Sequence, residues 1–365
     1  MHSFRWFASD VCPRPPDAQS AYLVGADGVP LRGEVRIEDG RIVCESRSRE
    51  ALGLSLMWAV KGFGAVQLET TRLPSREEPY NLHVELVRHR LMRIIAKREE
   101  WGLFDYNGMG HIAERIDRAR GLFIQALQQS DEPSSAARLA DQALAEALGA
   151  SEALASFHAD VFLSRRGQAA GGRGTLGAAL ASPEHGSAAM VAALAGQLDF
   201  LRVPMIWREL QPREQDARFD GVDAAMQAAA RANLTVRAGP LLNFGVRWVP
   251  DWMYIWENDY DSIADLAREH IRRTVQRYAG KVASWTACSG LHADAVFGFT
   301  FEQIIDLTRM AVTTARQAAG RAPIVIDLVQ PWGEYYARNQ RTIPPLLYAE
   351  MVIQSGIPFD AFGVQ

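Results

Sequence analysis

The residues of this chain best suited to chemistry are tryptophans, amides and a few carboxylates that recur just after short apolar runs. Trp207, Arg208 and Glu209 follow the run Phe200 to Ile206, while Asn243 and Phe244 close and follow Leu234 to Leu242. A loop holding Trp248, Trp252, Tyr254 and Trp256 comes next. Ser289 and His292 follow Val282 to Cys288, and Gln330, Trp332, Glu334 and Tyr335 follow Ile324 to Val329. Gln365 follows Phe359 to Val364. Indoles stack on the apolar faces of sugars, and planar amides, arginine and carboxylates pair with hydroxyls, so the set suits a carbohydrate. The competing reading is that the tryptophans only cover or brace their loops. His83, His89, His111 and His158 lack metal-ligand spacing. Cys12, Cys44 and Cys288 are too few and too far apart for a disulfide framework or a zinc site. No metal or cofactor is expected.

The elements that must position these residues are β/α units. The five apolar runs, with Thr175 to Leu180 before them, alternate with helical stretches. That rhythm predicts a parallel sheet whose working face lies at the strand C-termini. The helix ends are readable. Ser182-Pro183-Glu184 is a cap with proline at N1, Thr300 with Gln303 is a capping box, Pro344-Pro345 opens the last helix, and Ser355-Gly356 closes it. The pattern is clearest from Ile263 onward. Ile263, Leu266, Ala267, His270, Ile271, Thr274, Val275 and Tyr278 form one helix face, and Gly280-Lys281 stops the helix. The strand that follows ends in Cys288, Ser289, Gly290, Leu291 and His292, with no carboxylate at its tip. Six strands fit either an open doubly wound sheet or an eight-stranded barrel two units short, and spacing alone leaves both open. Gly172, Gly174 and Gly177 match G-x-G-x-x-G with Asp199 downstream. A polar linker precedes them and a strand follows, which is the wrong context for a dinucleotide loop.

Earlier in the chain the period differs. Ala26-Asp27-Gly28 and Asp39-Gly40 are hairpin signals around Arg32 to Glu38 and Arg41 to Glu45, and Gly53 to Val60 pairs with Gly64 to Thr70. From Leu82 to Arg166 the pattern is helical, with Val84, Val87, Leu91, Ile94 and Ile95 in one stripe, a division at Gly149 and a restart at Ser151-Glu152. Ser164 to Gly174 reads as a linker. The expected organisation is a β-rich, sandwich-like region over 1–80, a helical segment over 81–168 and a β/α unit over 174–365. Net charge of −4 gives no reason to expect nucleic acid. No run is long and apolar enough to span a bilayer, and the N-terminus lacks a signal peptide's apolar core, so no membrane partner and a cytoplasmic location are expected.

The segment from Gly174 to Gln365 resembles glycoside hydrolase family 10, the endo-1,4-β-xylanase-type (β/α)8 barrels. Gly177-Ala178-Ala179 is similar to that family's first strand, G-x-A. Glu214 to Phe219 followed by Asp223 is similar to its "P-x-x-G-x-f-x-f" run leading to "aD". Val236-Arg237 fits the third strand, and Val249-Pro250-Asp251-Trp252 matches "l-P-x-W". Arg277-Tyr278-Ala279-Gly280-Lys281-Val282 with Trp285 resembles "r-Y-k-G-k-v-x-x-W". Phe359-Asp360-Ala361-Phe362-Gly363-Val364-Gln365 is similar to "i-D-g-i-G-l-Q" of the sixth strand. The part before Gly174 shares none of this.

The resemblance implies an incomplete (β/α)8 barrel of the TIM type, six β/α units with two more expected beyond Gln365. It implies a protein that acts on, or binds, a β-linked polysaccharide or oligosaccharide such as xylan. The departures fall on the chemistry. Where the family has W-D-x-x-N-E, this chain has Trp285 followed by Thr286, Ala287, Cys288, Ser289 and Gly290, so the usual acid/base Glu is Gly290. The nucleophile Glu of the family belongs to a seventh strand. Retaining hydrolysis needs two carboxyl groups roughly 5–5.5 Å apart. Glu334 and then Glu209 are the candidate catalytic carboxylates. Trp207, Asn243, Trp248, Trp252, Trp256, His292, Gln330, Trp332 and Gln365 are the candidate substrate contacts, with His292 expected at an exposed rim. The alternative is a catalytically inactive carbohydrate-binding barrel.

Overall fold

Asp39 and Gly40, both at positive φ (47° and 74°), make the tight turn between β4 (Gly33–Glu38) and β5 (Arg41–Ser46). The computed structural model that contains it describes all residues except Met1, Val11, Arg14, Arg49, Asp105, 171–174, Ser187, Asp294 and Gln340, with the backbone alone for 166–170. It divides into two units, Met1–Arg173 and Gly174–Gln365.

In the first unit β1 (His2–Arg5), β2 (Tyr22–Val24), β3 (Pro30–Leu31), β6 (Gly53–Val60), β7 (Gly64–Glu69) and β8 (Tyr80–Asn81) join β4 and β5. They form two four-stranded sheets, ordered β4-β5-β1-β8 and β3-β2-β6-β7. Helices α1 (Leu82–Glu100), α2 (Gly110–Gln128) and α3 (Pro133–Ala170) follow. Phe4, Cys44, Leu54, Trp58, Leu86, Ile112 and Ala140 belong to one core, so the two sheets and the helices share a single packed body. The break expected at Gly149 is absent. Helix α3 runs through it, because the missing Cβ leaves the space that the Arg115 guanidinium of α2 occupies. Most of the expected linker is likewise helical, and Gly172 and Gly174 lie outside the described residues, while Gly177 opens a strand.

The second unit alternates β9 (Gly177–Ala179), α4 (Ala188–Leu194), β10 (Phe200–Val203), α5 (Trp207–Leu210), α6 (Asp220–Arg231) and β11 (Thr235–Ala238). It continues with α7 (Tyr260–Tyr278), β12 (Ser284–Ser289), α8 (Phe301–Ala319), β13 (Ile324–Leu328), α9 (Pro345–Gln354) and β14 (Ala361–Val364). The helix starts follow the sequence. The Asp259 carboxylate accepts from the Ser262 N–H ahead of α7, and Thr300 and Gln303 close a reciprocal capping box on α8. Helix α7 buries Ile263, Ala267, His270, Ile271, Thr274, Val275 and Tyr278.

Strand order decides between the two architectures. The sheet runs β14-β13-β12-β11-β10-β9, parallel throughout. A doubly wound sheet reverses its order at a switch point. A parallel sheet ordered as the sequence is the wall of a (β/α) barrel, here with six of eight strands and with β9 and β14 at its edges. Leu201, Val203, Val236, Ala238, Ile324 and Ile326 are buried in the core, and Arg202, Arg237, Thr286 and Asp327 occupy alternate positions along the same strands. Among the described residues no helix is long and apolar enough to cross a membrane.

Candidate functional site

Strands β11, β12 and β13 end side by side, and the segments leaving them enclose a cleft of about 400 Å³. Asn243, Gly245, Val246, Arg247, Trp248, Gly290, Ala293, Val329 and Gln330 line it. The Asn243 Oδ1 accepts from the Gly245 N–H at 2.8 Å, which holds the turn after β11. Gly290 stands at φ 71°, and a Cβ there would lie 3.3 Å from Val329 Cγ2 and 3.7 Å from Asn243 Nδ2. Gln330 also has positive φ (48°), and its N–H donates to the Gln365 carbonyl at 3.1 Å. The Trp248 loop is clamped from behind by Arg208. The Arg208 N–H donates to the Trp248 carbonyl at 2.9 Å, its Nη1 donates to the Val246 carbonyl at 3.1 Å, and its Nη2 pairs with Asp251.

Of the residues expected from the sequence, Asn243, Trp248 and Gln330 therefore meet in one cleft. Four others are placed differently. Trp207 is 2% exposed; its ring stacks on His270 at 4.5 Å and its Nε1–H donates to Gln211 Oε1 at 3.0 Å. As the first residue of α5, with three residues between it and β10, it is turned into the core and cannot face a ligand. Trp252 packs edge-on against Trp207 and donates from Nε1 to the Gln211 carbonyl at 2.9 Å, so it braces the loop. Trp256 is half-buried against the core. His292 is not at an exposed rim. It is 1% exposed, lies flat against Tyr348 of α9 at 4.9 Å, and hydrogen-bonds the Val329 carbonyl through Nε2 at 3.2 Å. Burial pushes its pKa down to about 4, so the ring is neutral and offers no acid at neutral pH.

The carboxylates stand apart from the cleft lining. Glu334 opens a short 3-10 turn after β13, and its Oε2 is buried without a hydrogen-bond partner. Burial and the neighbouring Glu334 push the Tyr335 phenol above its usual range. Glu209 is exposed and accepts from the Ser182 hydroxyl at 3.1 Å. Trp332 is 72% exposed. Gln365 is turned to the sheet's inner side, where its Nε2 meets Asp327 Oδ2 at 2.5 Å.

Asp327 is the residue that sequence reasoning missed. It is 3% exposed on β13 and pairs with Arg202 of β10, whose Nη2 also reaches Thr286 Oγ1 at 3.4 Å. The signal was present in Ile324-Val325-Ile326-Asp327, because a carboxylate inside a buried strand requires a partner. Cys288 is also buried, which pushes its thiol up to about 12 and leaves no nucleophile there. Among the described residues no cluster of three His, Cys, Asp or Glu could hold a metal.

Residues 168–365 match the family described as Glycosyl hydrolase family 10. A curated relative, Endo-1,4-beta-xylanase C of Paenibacillus barcinonensis, is 26% identical over 181 residues, which are 43% of this chain and 16% of that protein. The solved structure of a GH10 protein from Paenibacillus barcinonensis is 23% identical, with a TM-score of 0.42, over 52% of this chain and 60% of that one. Xylanase B from Clostridium stercorarium F9 is 18% identical, with the same TM-score, over 52% and 61%. The chain thus spans less than two thirds of each of these relatives. The family match takes in more than half of the 365 residues and coincides with the sequence-ordered parallel sheet and the cleft at its strand ends, and on that ground this chain belongs to glycosyl hydrolase family 10.

Proposed function

We propose that this chain carries the glycan-engaging part of a family 10 site that acts on a β-linked polysaccharide such as xylan. The observation behind the reading is the cleft: the amides of Asn243 and Gln330 and the indole of Trp248 meet at the C-terminal ends of three adjacent parallel strands, inside the family match. Amides pair with sugar hydroxyls and an indole covers an apolar sugar face. The relative named Endo-1,4-beta-xylanase C supports xylan as the first substrate to try.

Retaining hydrolysis requires two carboxyl groups roughly 5–5.5 Å apart. Gly290 offers none, and the described lining of the cleft contains no carboxylate. Glu334 and Glu209, just past β13 and β10, are the carboxylates we assign to the chemistry of the complete site. The test is calorimetric binding of β-1,4-xylo-oligosaccharides to this chain, beside reducing-sugar release by this chain, by the protein extended through the family's remaining strands, and by its Glu334→Gln form. Binding, with release by the extended protein that Glu334→Gln abolishes, is the expected result. Binding without release by any form identifies a carbohydrate-binding barrel instead, and no binding overturns the glycan reading. Release that survives Glu334→Gln removes Glu334 from the mechanism.

A further inference from the structure

We propose that the cleft selects a glycan bearing a carboxylate, a uronic-acid unit or substituent, and that Arg247 recognises it. The proposal rests on the glycan reading above and narrows it. Among the described residues lining the cleft, Arg247 is the one ionisable group; Asn243, Gln330 and Trp248 are neutral and the rest are glycine or apolar. A neutral sugar presents only hydroxyls, which the two amides already suit.

The charge of Arg247 is held but not balanced. Its Nη2 donates to the Ala181 carbonyl, just past β9, and no ion-pair partner stands against it among the described residues. A carbonyl fixes the guanidinium without neutralising it. Arg208, directly behind, shows the contrast: its charge is met by Asp251. Arg208 also grips the carbonyls of Val246 and Trp248, the residues on either side of Arg247, so the segment is set before any ligand arrives. A guanidinium presents paired N–H groups whose fork matches a carboxylate, and such charge-assisted bonds are roughly twice as strong as neutral ones.

The test is calorimetric titration of the chain with three oligosaccharides on one β-1,4-xylan backbone: unsubstituted, bearing a glucuronate, and bearing the same substituent with its carboxyl reduced to an alcohol. The acidic form should bind about tenfold more tightly than the reduced one, as expected of a hydrogen bond to a charged group at a partly wet site. The advantage should shrink as salt is raised, because Arg247 is exposed. Arg247→Gln should bind the acidic and reduced forms alike, and Arg247→Lys, which keeps the charge, should still favour the acid. Equal binding of acidic and reduced forms by the natural chain overturns the proposal and leaves the glycan reading standing. A preference that survives Arg247→Gln removes Arg247 from the assignment. Binding of none of the three overturns the glycan reading itself.

Discussion

Replacing Asp327 with Ala should destabilise the barrel unit by roughly 2–3 kcal/mol. Asp327 meets Arg202 from a strand three positions away in the sheet, and Gln365 Nε2 shares the same oxygen at 2.5 Å. Removing one partner of a buried pair costs about 3–5 kcal/mol, since it strands the other charge. The Arg202 side chain keeps 23% of its surface, so water offsets part of that loss and the lower range applies. For a unit the size of Gly174–Gln365 each kcal/mol is about 2–4 °C, which gives a fall in Tm of about 4–12 °C. Asp327→Asn keeps an acceptor and should lose about half as much. Arg202→Met with Asp327→Leu should recover most of the loss, because apolar replacement of a whole buried pair is often neutral. Urea unfolding followed by tryptophan fluorescence is a suitable readout, as Trp285 lies on β12, one of the two strands between. A wild-type midpoint for Asp327→Ala, or a double variant no better than the single, would refute this account of what ties β10 to β13.

Three further outcomes follow from the same geometry. Gly363→Ala would place a Cβ against Asp327 Oδ1, on a carboxylate that Arg202 and Gln365 hold through its other oxygen, and should cost about 1–3 kcal/mol in urea unfolding; the penalty should vanish in the Asp327→Ala background. Gly290→Glu should lose about 1–2 kcal/mol for an L side chain at φ 71° and should release no sugar from xylan, so any reducing-sugar signal would count against the need for a second carboxylate. Burial depresses His292 from 6.5 to about 4, so between those values the unfolded chain takes up a proton that the folded chain refuses. Stability should fall as pH drops through that window, with His292 contributing up to about 1.4 kcal/mol per pH unit beside His270, which burial also depresses, and His292→Gln should lower the slope by that share in urea titrations at each pH.

Much of the barrel unit was legible because its signals are local. Gly280 after Tyr278, the Thr300–Gln303 box and the apolar run before each strand end belong to single elements; five of the six strands fall inside the expected runs, and β12 passes its run by one residue, Ser289. What was not legible depends on distant partners. β1 is a strand because His2–Arg5 pairs with Arg41–Cys44, which no neighbouring residue signals. Gly149 looked like a helix stop, yet a second helix needs its empty space for Arg115. Trp207 and Trp252 share a residue type and loop position with Trp248, but two of the three serve packing. His292 misled for the same reason: α9, more than fifty residues on, supplies Tyr348, which covers it. Asn243 and Gln330 reach the same cleft because each directly follows an apolar run that contains a strand.

The unbroken strand order has a bearing on synthesis. Each strand from β10 onward pairs with the one made immediately before it, so its template already exists when it leaves the ribosome. Loop closure then spans one helix at a time, and the entropy of ordering is met in small steps. A doubly wound sheet of the same size must insert later strands beside its first, waiting on chain still to come. Stalling translation after successive units should therefore leave nascent chains whose protease protection rises strand by strand. The tie from Arg202 to Asp327 stands outside that progression, since its two halves are separated by two intervening strands, and it can form only after β13 has docked.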